Sequence, residues 1–220
     1  MGLLDDLKKQ AELVKTQQLS QQTLREETLR LVEERMKLAF QYLNELLKQL
    51  AVLKPVSQLL YSVPGVAELK DLQFTESFID YRKKRVNDRE VFDLINFYVK
   101  WSLPSTQTIE RDMPSLAQKV RDTLNQYGIK FREDEIKNER QVVAKWKFSV
   151  DWAIVADVKF RADHDQGTLL CSGKNLIRLG SDDFVIPAGD VNEPWLEEFA
   201  KTLLGHPTAF RKYRVAALPR

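Results

Sequence analysis

The sequence predicts an α+β protein: an N-terminal long helix or helical hairpin, then an antiparallel, curved sheet of about 6–7 strands with two packing helices. Three observations carry that expectation. Residues 3–54 contain no glycine, proline or isoleucine and are rich in Leu, Glu, Gln, Lys, Arg and Ala, the good helix formers. Residues 142–162 place an apolar residue at every even position, from Val142 through Trp146, Trp152 and Phe160 to Ala162. Period two without a slip means β-structure with one dry face and one wet face, hence antiparallel pairing. Two later segments carry the punctuation of helices. One starts at Asp112-Met113-Pro114 and stops at Gly128, and the other starts at Asn192 and Pro194 and stops at Gly205 and Pro207.

Within the first segment a heptad runs from residue 29. Leu29, Met36, Leu43 and Leu50 fill one position, and Val32, Ala39, Leu46 and Leu53 fill the other. That repeat is a coiled-coil-like seam, and Leu31, Leu38, Phe40, Tyr42 and Leu47 widen the stripe beyond it, as suits a helix packed on more than one neighbour. The residues singled out for interaction are Leu29, Val32, Met36, Leu43, Leu46, Leu50 and Leu53, and the partner is a second copy of the chain or another protein. Upstream, Leu4, Leu7, Ala11 and Val14 make a shorter stripe, separated by a polar stretch at 15–22. Thr23 with Glu26 is spaced as a capping box. Two readings stay open: one helix throughout, or a hairpin turning near 16–22.

The domain scheme is a helical, coiled-coil-like arm at 1–54, a linker at 55–71 with at most a short helix, an antiparallel α+β domain at 72–207, and a basic tail at 208–220. In the domain, 72–83 and 90–102 are aromatic and β-branched and read as two strands joined near Arg85-Val86-Asn87-Asp88. The 142–162 run is too long to stay straight in a compact domain, and its unbroken parity favours a bent strand, or a turn with an odd number of loop residues near Ser149–Asp151. A turn at Asp163-His164-Asp165-Gln166-Gly167 then shifts the inward parity to Leu169 and Cys171. Short strands are expected near 168–171, 175–179 and 183–187.

The 220 residues carry 34 basic and 32 acidic side chains, a net charge of +2. That balance gives no whole-domain field for nucleic acid or anionic lipid. The longest apolar run is Trp152–Ala156, far short of the roughly 20 residues of a membrane span. The N-terminus has early acids and no apolar core of a signal peptide, and Gly2 lacks the Ser/Thr of a myristoylation site. With one cysteine, Cys171, no internal disulfide is possible, and a cytoplasmic location is expected.

Motifs with chemical potential are sparse, and the chain is read as leaning away from an enzyme. His164 between Asp163 and Asp165 has the residues of a metal ligand or general base. Turn chemistry explains the same residues, and the D-x-D-x-G start lacks the Glu of a calcium loop, Lys174 standing there. His206 sits at a helix end, where a His meets the last carbonyls. Asp182, Asp183, Asp190 and Glu193 precede a helix, whose dipole favours acids. Cys171 has core parity. There is no phosphate-binding glycine loop and no nucleophile elbow, so no cofactor or metal is expected. Arg82, Lys83, Lys84 and Arg85, with Arg211, Lys212 and Arg214 in the tail, interleave with aromatics and form a candidate anion or nucleic-acid contact. An apolar pocket between sheet and helices, for a small molecule or lipid, is a further reading of the aromatic first hairpin.

Overall fold

Helix formers uninterrupted by glycine or proline extend without a break. In a computed structural model, which describes residues 3–86 and 88–213, α1 is a single helix, Leu3–Leu53, of 51 residues, about 76 Å long. The hairpin alternative is therefore corrected. Thr23 does not cap a new helix; its hydroxyl donates to the Leu19 carbonyl at 3.0 Å inside a continuous one, as Thr16 and Thr28 do to Glu12 and Leu24. The helix stops where Lys54 turns into the left-handed region (φ 45°) and Pro55 follows, since the ring of Pro55 disfavours a helical residue before it.

The stretch read as a linker is a hairpin instead. β1 (Tyr61–Val63) and β2 (Ala67–Leu69) pair antiparallel, and Tyr61, Val63 and Leu69 are buried in the common core. The Tyr61 hydroxyl donates to the Asn175 carbonyl at 2.8 Å.

The main sheet has five antiparallel strands in the order β10-β9-β8-β4-β3. They are β3 (Gln73–Val86), β4 (Arg89–Ser102), β8 (Ala153–Asp163), β9 (Thr168–Lys174) and β10 (Ser181–Pro187). The β3–β4 ladder shifts register twice. The shift at Arg82/Lys83 leaves Asp93 as the extra residue of β4. It explains why neighbours Val91 and Phe92 are both buried: a bulge turns the strand locally and breaks the alternation.

A second sheet holds β5 (Gln107–Arg111), β7 (Val143–Val150) and β6 (Phe131–Lys137) in the order β5-β7-β6. α2 (Pro114–Gln126) contributes Ala117, Val120 and Leu124 to the same core. Of the two forms expected for the long alternating run, it takes the bend. It leaves the small sheet at Val150, buries Trp152 in the bend, and enters the main sheet at Ala153. The four residues 164–167 then link β8 to β9, and Leu169 and Cys171 face inward. The strand expected near 175–179 is absent; Asn175 instead closes the loop, its side chain accepting from the Gly180 N–H at 3.0 Å. The described residues thus hold ten strands in three sheets, against about 6–7 expected.

α3 (Glu193–Leu204) follows a 3-10 turn at Ala188–Asp190. Its N-cap is Asn192, whose side chain accepts from the Trp195 N–H at 3.0 Å, and its end is Gly205 at φ 82°. The main sheet buries one face beneath α1 and α3. Phe97 and Phe160 meet Phe199 and Trp195 there, with ring centroids 5.3–6.1 Å apart along the Phe97–Phe199, Phe160–Phe199 and Phe160–Trp195 contacts. Phe210 is fully buried against Phe184, Trp195 and Phe199, so the chain beyond α3 begins as core. Among the described residues no helix is long and apolar enough to cross a membrane.

Candidate interaction surfaces

Helix α1 divides into a seated half and a free half. Val32, Met36, Ala39, Leu43, Leu47 and Leu50 are buried against the chain's own sheet and α3. Each large apolar side chain seated this way contributes roughly 1.5–3 kcal/mol. Their spacing averages the 3.6 residues of a straight helix, not the 3.5 of a supercoiled one. The drift has a visible result. Leu47 takes the buried place that the heptad assigns to Leu46, Leu46 is half-buried beside it, and Leu53 is 71% exposed. Leu29 is half-buried at the edge of the body. Of the seven residues singled out for interaction, Val32, Met36, Leu43 and Leu50 therefore lie in this chain's interior.

The free half begins one turn earlier. From residue 8 to residue 27 every described side chain is exposed, all the way round the helix. Leu13, Val14, Leu19 and Leu24 are 63%, 50%, 64% and 59% exposed. Local pairing gives this stretch little support: the Thr16 and Thr23 hydroxyls turn back onto carbonyls four residues earlier, a contact that does not strengthen a helix. Helices in water owe most of their stability to packing of an apolar face, and here no part of the chain's described body supplies one.

Where α1 leaves the body it forms one wall of a cleft of about 640 Å³. Gln22, Arg25, Glu26 and Leu29 line it from the helix, Val86 and Arg89 from the first hairpin, and His164 and Asp165 from the β8–β9 turn. His164 is not the solvated turn residue that its sequence suggests. It is half-buried, and both ring nitrogens are shielded without a hydrogen-bond partner among the described residues. Burial lowers its pKa below the ordinary histidine value. The Lys84 charge adds to that, while Glu33, Asp93 and Asp163 oppose it. Nothing in the local sequence marks Gln22, Arg25 or Arg89 as neighbours of this turn; only the helix–sheet crossing brings them together.

The basic hairpin is largely engaged with its own chain. Arg82 donates to Asp93 from Nε at 2.9 Å and from Nη2 at 2.5 Å, and Lys84 stands 3.6 Å from the same carboxylate. Burial of Asp93 works against its charge, but the Arg82 and Lys84 contacts outweigh it and hold the carboxyl below its usual range. Lys83 lies over the Phe92 ring at 5.6 Å, and Arg85 reaches Asp88 at 3.5 Å. Lys212 is exposed; the Arg211 side chain and Arg214 lie outside the described residues. The space between main sheet and helices, read as a pocket for an apolar ligand, is occupied by the rings of Phe97, Phe160, Trp195, Phe199 and Phe210.

Among the described residues, no three His, Cys, Asp or Glu side chains stand together as metal ligands. Cys171 is buried on β9, and desolvation pushes its thiol pKa far up. His206 is exposed just past α3, and Asp182 is buried with Arg178 at 3.3 Å. The architecture is an α+β body carrying a helical arm. No protein-family model matches this chain, and no curated protein or solved structure matches it either.

Proposed function

We propose that this chain is a non-enzymatic interaction or scaffold protein that self-associates, or takes up a partner helix, through its N-terminal helix. The observation that supports this reading is the asymmetry of α1. Its C-terminal half is seated on the body, whereas residues 8–27 project with Leu13, Val14 and Leu24 in water. An exposed helix of that length is marginal by itself. Held rigidly at one end and unsupported at the other, it presents a prepared surface whose ordering cost is partly met before a partner arrives.

Light scattering of the full chain across a concentration series tests the reading, with Val14→Lys/Leu24→Lys as comparison. The expected result is a mass above the 25.6 kDa of one chain, reduced to one chain in the variant with an unchanged melting temperature. A full chain that stays monomeric, with amides of 10–27 exchanging at peptide rates even in cell extract, would overturn it.

A further inference from the structure

Resting on that reading, we infer that the partner is a second copy of this chain, its free helix half running antiparallel to the first and centred on residue 19. At alternating spacings of four and three, Gln10, Val14, Gln17, Gln21, Leu24 and Thr28 fall on one stripe of α1, the last of them half-buried beside Gly167 where the stripe meets the body. Reversed about residue 19, position 10 meets 28, 14 meets 24 and 17 meets 21. Polar then faces polar and apolar faces apolar in every layer. Val14 packs on Leu24 of the second copy twice, once on each side of the centre, and Leu13 flanks that layer. Between them the Gln17 and Gln21 amides of the two copies bond across the seam, the kind of polar layer that fixes register at some expense of stability.

Orientation follows from the seated half. At about 100° per residue, the stripe lies roughly 60° around the helix from the face buried on the body, which is marked by Val32, Met36 and Leu43. A parallel partner on this stripe would bring both bodies to the same end, crowding one another beyond Thr28. An antiparallel partner sets them at opposite ends, with residues 10–28 of each copy, about 28 Å, shared between them and residues 3–9 running on beside 29–35 of the other. The cleft beside His164 is lined from another side of the helix, by Gln22, Arg25 and Leu29, and stays open.

Disulfide trapping reads the orientation directly in the full chain. Cys171 is buried and gives no background. Val14→Cys protein mixed with Leu24→Cys protein is expected to form a cross-linked heterodimer under mild oxidant, and neither alone is. Like positions lie ten residues, about 15 Å, apart along the antiparallel pair, beyond the reach of a disulfide. Gln17→Cys with Gln21→Cys, whose like positions lie four residues or about 6 Å apart along the pair, checks the register without touching the apolar layers, through the excess of the mixed cross-link over either protein alone. Cross-linking of Val14→Cys with itself would show a parallel pair and overturn the inference. A dimeric mass with no cross-link in either mixture overturns it too, leaving self-association through another face. A monomeric chain overturns both this inference and the reading beneath it.

Discussion

The Glu33 carboxylate of α1 accepts the backbone N–H of Phe92 on β4 at 2.6 Å. That amide lies beyond the end of the β4–β8 ladder, where Leu94 opposite Arg161 is the last pair. A helix side chain thus takes over where the neighbouring strand has parted, and it pins the last seated turns of α1 to the sheet. Glu33→Ala is expected to cost about 1.5–3 kcal/mol, the range for a hydrogen bond to a charged group. For a chain of this size each kcal/mol lowers the melting temperature by roughly 2–4 °C, which calorimetry would resolve.

Gly205 tests a different joint. Its φ is 82°, and a Cβ there would come within 2.4 Å of the Leu59 amide nitrogen. The same approach allows the Gln58 N–H to reach the Leu204 carbonyl at 2.9 Å. Gly65 has a similar φ of 69° with open space around it. Gly205→Ala should therefore destabilise by clearly more than Gly65→Ala, for which only the backbone cost of about 1 kcal/mol applies. Urea midpoints of the two variants separate steric collision from conformational preference.

His164 predicts a pH dependence of stability. Its folded pKa lies below the unfolded value of about 6.5, so across that window the unfolded chain binds more protons than the folded one. Stability from this residue is complete above the unfolded pKa and falls as pH drops toward the folded value. Urea midpoints between pH 7.5 and 5 should decline for the native chain, and the slope should flatten in His164→Asn. An equal slope in the variant would assign the dependence to other groups.

Cys171 is expected to be inert to thiol reagents in the folded protein, because burial disfavours its thiolate. Labelling should become fast in urea and track the loss of folded protein. A fast native reaction would show that β9 opens locally.

The sequence made the β7–Trp152–β8 run legible because from Phe148 onward a single buried face imposes period two, through the bend included, although Val142 and Ala144 at its start are exposed. α2 and α3 were legible from proline and glycine at their ends. β5 and β6 were not. β5 buries only Ile109 and β6 is mostly exposed on the rim of a small sheet, so neither needs an alternating pattern. α1 was legible as a helix, but a heptad and a 3.6-residue stripe diverge by only about 0.4 residue over four turns. The sequence therefore marked Leu46 where the fold seats Leu47. His164 reads locally as turn chemistry, and its burial depends on a helix more than a hundred residues earlier in the chain. The free stretch of α1 was marked as polar, yet its exposure is set by where the sheet ends.

Because β7 and β8 are one uninterrupted path through Trp152, neither sheet has an independent boundary. Loosening the small sheet withdraws the strand that stands at the centre of the large one, between β4 and β9. The body should melt as a single cooperative unit, while the arm up to residue 27 frays on its own schedule: two thermal events in one chain, with the border inside a continuous helix.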